Sequence, residues 1–204
     1  MANDTFLWSA DMTEVSLSLR GLKTSVPRSL SGASDRAPKN SGAGYWEISF
    51  STRKRHYNEY RELFAFLIAQ RGQYGEFDFV INQFKNTRSS YGGNILVNGA
   101  SQVTSEIAVD GMTVSTNQVL RMGDFVQLGN NKKVYMIVQD LKSDGAGEGI
   151  LYLHAPVVTA PNNNDAIVFR NVIFNVANTE DDNTLDMDTV LRCGWDLTFA
   201  EAWN

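Results

Sequence analysis

The chain has 204 residues, 43% of them apolar and 20% charged, with a formal net charge of −5. That supports one large or two small buried cores, and the acidic balance argues against a general nucleic-acid binder, which needs a basic face. The single cysteine, Cys193, excludes an intrachain disulfide and a cysteine-rich metal site, and this usage fits a protein made in a reducing cytoplasm.

The first residues, MANDTFLWSADMTE, lack the basic start and apolar core of a secretion signal. No apolar run approaches the roughly 18 residues of a membrane span. Residues 4–22 alternate weakly, with Val15, Leu17 and Leu19 on one face, and predict an opening strand. Residues 26–44, VPRSLSGASDRAPKNSGAG, predict a long exposed loop of the kind that is functional or ordered by a partner. Residues 45–50 predict a second strand, with Trp46, Ile48 and Phe50 sharing a face.

Residues 57–71, YNEYRELFAFLIAQR, predict the one helix. Tyr57, Tyr60, Phe64, Leu67 and Ile68 form its apolar stripe at i, i+3, i+4 spacing. Glu59 and Glu62 suit its positive end, Arg71 suits its negative end, and Gly72 offers a left-handed terminator. Residues 76–84 predict a strand returning over the helix, with Phe77, Phe79 and Ile81 alternating.

Residues 88–93 (RSSYGG) and 161–165 (PNNND) read as hinges, and everything between them is short strand and turn. Asp110-Gly111 between Val109 and Met112 predicts a tight hairpin. Within residues 120–156, Leu120, Met122, Val126 and Leu128 share one strand face, residues 129–132 and 143–149 reverse the chain, and residues 134–138 are apolar on both faces. A strand buried on both faces implies a small sheet closed or folded onto itself. Residues 166–176 and 190–199 resume strands with apolar faces. The expected fold is mainly β with one α-helix (α+β): an outer domain from residues 1–88 and 166–204, and an inserted β-barrel domain at residues 89–165.

Candidate chemistry is sparse. His56 follows Arg53, Lys54 and Arg55 and reads as part of a solvated helix approach; His154, beside Pro156, reads as a surface residue. The two lie too far apart in sequence to form a metal pair on one element. Cys193, in LRCGWDL, reads as a buried inert thiol, with Arg192 pointing to the opposite strand face. The acidic run at residues 180–188 (EDDNTLDMD) lacks the central glycine and terminal glutamate of a calcium loop and reads as a solvated connection. Residues 144–149 (DGAGEG) precede a strand, where a phosphate-cradling loop must open a helix. No catalytic, cofactor-binding or metal-binding residue is assigned, so an enzyme is not expected and no cofactor is implied.

Three stretches carry a family likeness. They are residues 45–79, ending in a G-Q-x-G-x-F return; the unit from LRMGDFVQL to ILYLHAPVV at residues 120–158; and the ending GWDLTFAEAWN. Together they resemble the distal tail proteins of long, non-contractile-tailed bacteriophages (siphoviruses), in the short two-domain type from phages of Gram-negative hosts. The resemblance implies a virion structural protein of the tail tip. It implies a tail-tube-like β-sandwich or split-barrel domain carrying one helix, with an inserted domain like an oligonucleotide/oligosaccharide-binding (OB) fold. It further implies a hexameric ring of self-contacts joining the tail tube protein to the baseplate hub or tail fibre, with DNA ejected through the channel without specific binding. Relatives from phages of Gram-positive hosts add a C-terminal galectin-like domain, which the few residues after Phe199 do not supply. The alternative is a carbohydrate- or single-strand nucleic-acid-binding module, using Phe125, Tyr135 and Tyr152 with Lys132 and Lys133 in the inserted domain.

Overall fold

The computed structural model describes residues 4–7, 11–21, 24–25, 37–38, 44–129, 131–182, 184 and 187–203. In them the chain is mainly β with one α-helix. The elements are β1 (Asp4–Thr5), β2 (Met12–Arg20), β3 (Thr24–Ser25), β4 (Ala37–Pro38), β5 (Tyr45–Thr52), β6 (Arg55–His56), α1 (Tyr57–Ala69), β7 (Glu76–Phe79) and β8 (Leu96–Val97). There follow β9 (Glu106–Asp110), β10 (Phe125–Leu128), β11 (Tyr135–Met136), β12 (Gly149–Tyr152), β13 (Ile167–Val168), β14 (Phe174–Asn178), β15 (Arg192–Cys193) and β16 (Asp196–Glu201). Most of the loop expected at residues 26–44 lies outside the described residues. Two compact units are present: Met1–Ser18 with Trp46–Lys85 and Asn171–Asn204, and Leu19–Tyr45 with Asn86–Arg170.

The first unit is built on a six-stranded sheet in the order β1-β7-β14-β16-β5-β2. Alternation on β5 and β7 puts Trp46, Ile48 and Phe50, with Phe77 and Phe79, on one face, where all five are buried. There Phe199 meets the rings of Phe6, Phe50, Phe77 and Phe79 at centroid separations of 4.9–5.6 Å, mostly edge-on. Edge-to-face pairs set the positive ring edge against the negative face, adding to the area each ring buries. Over the described residues, α1 lies on the face where a sandwich would place a second sheet.

The helix begins at His56, whose backbone is extended (φ −62°, ψ 140°) and whose ring Nδ1 accepts the Asn58 N–H at 3.4 Å. Its buried line is Tyr60, Leu63 and Leu67, at i, i+3, i+7 spacing. Ile68, expected in the stripe, is instead 54% exposed, because it lies one residue further round than Leu67. Phe64 sits on the flank, stacked on Trp195 at 6.2 Å. The left-handed terminator begins one residue earlier than expected: Arg71 (φ 56°) and Gly72 (φ 65°) both adopt it.

The second unit holds two three-stranded sheets, β11-β10-β13 and β12-β9-β8, around an aliphatic core that includes Ile107, Val109, Val126, Leu128, Ile137 and Leu151. No continuous ladder closes these sheets into the expected barrel. The seams are single bridges, Leu96↔Ala166 and Ile137↔Leu153, each flanked by main-chain bonds such as Ile167 N to Ile95 O and His154 N to Met136 O, both 2.9 Å. The strands at the seams, β8, β11 and β13, have two residues each, too few to run a ladder on both sides. The expected reversal at residues 129–132 joins β10 to antiparallel β11, though Asn130 itself lies outside the described residues.

Two local expectations differ. Asp110-Gly111 does not close a hairpin: β9 ends there with Gly111 at φ 73°, and β9 pairs with β8 and β12 instead. Met122 leaves the buried line of Leu120, Val126 and Leu128 and is 57% exposed. A turn closed by Asp124 N to Arg121 O shifts the phase between them.

Candidate functional site

The residues first considered for chemistry are occupied structurally. His56 caps α1, and it pairs with Arg192 across β6 and β15, while Cys193 pairs with Arg55. Neighbouring residues of a strand face opposite ways, so His56 and Cys193 point away from each other and form no nucleophile–base pair. Cys193 is 2% exposed; burial, and then the Asp188 carboxylate, push its thiol pKa up and disfavour a thiolate at neutral pH. Arg55 donates to Glu59 at 2.8 Å and to Asp11 at 2.5 Å, and these carboxylates, Glu59 first, hold its guanidinium pKa above the ordinary value. His154, expected at the surface, is half-buried, and its Nδ1 accepts the Met136 N–H at 3.1 Å.

The acidic loop also carries structural bonds. Asp188 Oδ1 accepts from Val190 N at 3.0 Å and Arg192 N at 2.8 Å, and Asp181 Oδ1 accepts from Gln73 N at 3.1 Å. That second bond explains the G-Q-x-G signal. A Cβ on Gly72 would lie 2.6 Å from Asp181 Oδ1 and 2.7 Å from its Cα, so only glycine lets the two segments meet. Asn183, Leu185 and Asp186 of this loop lie outside the described residues. Among the described residues, no group of three or more His, Cys, Asp or Glu is arranged to hold a metal ion. No helix among them is long and apolar enough to cross a membrane.

Residues 144–149 form a turn rather than a phosphate cradle. Asp144 Oδ1 accepts from Ala146 N at 2.8 Å and Glu148 N at 2.9 Å, and these main-chain bonds, Glu148 first, lower its carboxyl pKa. Of the aromatics considered for ligand stacking, Phe125 and Tyr135 are buried, and only Tyr152 is partly exposed. Lys133 is likewise buried, with Nζ 5.8 Å above the Tyr135 ring.

What remains on the first unit is two surfaces that the sequence pattern alone did not assemble. The first is β2, which ends the six-stranded sheet beside β5, with no further strand beyond it among the described residues. Thr13 Oγ1 donates to Ser51 O at 3.0 Å and Arg53 N to Asp11 O at 3.1 Å, which secure its inner side. Val15, Leu17 and Leu19 along it are only half-buried, and Glu14 adopts φ 48°, a bulge-like kink near its start. The second surface is the sheet face opposite the helix, where Ser49 Oγ meets Thr198 Oγ1 at 3.1 Å and Ser51 Oγ donates to Asp196 Oδ1 at 2.5 Å. No protein-family model matches the chain, and no curated protein matches it.

Proposed function

We propose that the protein is a structural, ring-forming adaptor of a siphovirus tail tip, working by shape and self-contact. In this reading it joins the end of the tail tube to the baseplate hub or tail fibre, bounds the channel through which DNA leaves, and resides in the virion. The observation that carries it is β2: nine residues long, at the end of a six-stranded sheet, and with half-buried apolar side chains. An edge strand of this length offers a row of main-chain donors and acceptors to a neighbour, and a rotation that closes yields a ring. The family likeness of residues 45–79, 120–158 and the C-terminal stretch supplies the tail-tip setting.

Proline scanning tests it. In a strand, successive N–H groups point to opposite sides, so of Ser16→Pro and Leu17→Pro one removes an outward donor and the other a donor facing β5. One variant is expected to keep wild-type stability yet fail to assemble in sedimentation velocity runs, while the other loses stability. Wild-type assembly by both variants would refute the reading.

A further inference from the structure

We infer that Asn98 is a latent deamidation site, able to modify itself, and that Asn163 keeps it unreacted in the folded chain. The inference holds whether or not copies of the chain assemble. Asn98-Gly99 is the only Asn-Gly step in the 204 residues. Glycine has no Cβ to shield its main-chain nitrogen, so this is the step at which an asparagine closes most readily on its own backbone. In that reaction hydroxide takes the proton of the Gly99 N–H, and the nitrogen attacks Asn98 Cγ. A C–N bond forms, the side-chain amide nitrogen takes a proton from water and leaves as ammonia, and a cyclic succinimide results. Water then opens the ring at either carbonyl to give aspartate or isoaspartate, with nothing oxidised or reduced. Asn98 and Gly99 are both half-buried, within reach of solvent.

The fold holds this peptide at both ends. The Gly99 N–H donates to Asn163 Oδ1 at 2.7 Å. A nitrogen bonded in this way resists losing its proton, because the resulting anion would face a carbonyl oxygen. Asn163 is itself fixed within the PNNND stretch, where Asn164 N donates to Val97 O at 2.8 Å, Val97 N to Asp165 O at 2.9 Å and Ser101 N to Pro161 O at 3.1 Å. On the carbonyl side, Gln102 Nε2 donates to Asn98 O at 3.0 Å and to Gly99 O at 2.9 Å. Gln102 Oε1 accepts the Ala108 N–H at 2.7 Å, which ties the clasp to β9. Ring closure must swing the Asn98–Gly99 peptide plane to bring its nitrogen onto Cγ, and these bonds oppose the swing. Isoaspartate would add a methylene to the main chain and a negative charge, drawing Gly99 off Asn163.

Peptide mapping by mass spectrometry, after incubation of the full chain in mildly alkaline buffer, tests this against the guanidinium-unfolded chain as the unguarded reference. Acid at position 98 should accumulate in the unfolded wild type, mostly as isoaspartate, and about tenfold more slowly in the folded wild type. Asn163→Ala removes the acceptor and should bring the folded rate up towards the unfolded one. Asn163→Asp offers a carboxylate to the same N–H and should keep the wild-type rate, which separates loss of the hydrogen bond from a general loosening of the loop. Amide hydrogen exchange at Gly99 reads the guard without a substitution: protection in the folded wild type supports the inference, and exchange at the unfolded rate overturns it. An unfolded chain that stays intact at position 98 overturns it, as does a folded wild type that deamidates as fast as the unfolded chain. So does an Asn163→Ala chain, shown to be folded by circular dichroism, that reacts no faster than wild type, or an Asn163→Asp chain that reacts as fast as Asn163→Ala.

Discussion

The two units keep water out in different ways. The first relies on interlocked phenylalanine rings between one sheet face and a helix, and leaves the other sheet face polar. The second packs short strands around aliphatic side chains, with Ile107, Val109, Val126, Leu128 and Leu151 all fully buried. A long, one-sided sheet has an edge and a face to offer partners; short strands folded around their own core have less to offer. The assembly proposed above would therefore use the first unit.

The three tryptophans among the described residues, Trp46, Trp195 and Trp203, belong to the first unit, so tryptophan fluorescence reports chiefly on it. The largest expected effect is Phe199→Ala, which removes a ring in contact with four others and should cost about 3–5 kcal/mol. In urea, the fluorescence transition should move to lower denaturant, with less change in the aliphatic unit. Leu151→Ala, fully buried in the second unit, should cost about 3 kcal/mol. It should shift the circular dichroism transition while leaving the tryptophan transition in place. Equal movement of both probes in both variants would show the units unfolding as one and break the comparison.

Gly72→Ala comes next, at about 2 kcal/mol, from a strained left-handed backbone and the clash with Asp181. Fluorescence-monitored unfolding reads it, and an unchanged midpoint would contradict the close approach. The smallest effect is expected at Asp144, whose folded-state pKa is lowered by main-chain donors. Its contribution is complete above the ordinary aspartate range and fades as pH falls through the depressed value. The stability gap between wild type and Asp144→Asn should thus narrow on acidification; a gap that widens would reverse the sign.

Much of the fold was legible because its signals are local. The alternation of Trp46, Ile48 and Phe50 marks β5, and the spacing of Tyr60 and Leu67 marks α1. Most of what escaped depends on partners distant in sequence. Asp110-Gly111 has hairpin chemistry, but β9 finds better partners in β8 and β12. Met122 fits a strand pattern that the turn at Arg121–Asp124 interrupts. The bond between Gln73 and Asp181 spans more than a hundred residues, so the sequence shows its glycine without showing why.

Negative-stain microscopy of assembled phage tails, labelled through an affinity tag on this chain, reads position in the particle and so tests the central claim most directly. The account predicts label confined to the tail tip as a ring around the channel. Label on the capsid, along the tail shaft, or absent from the particle would contradict it.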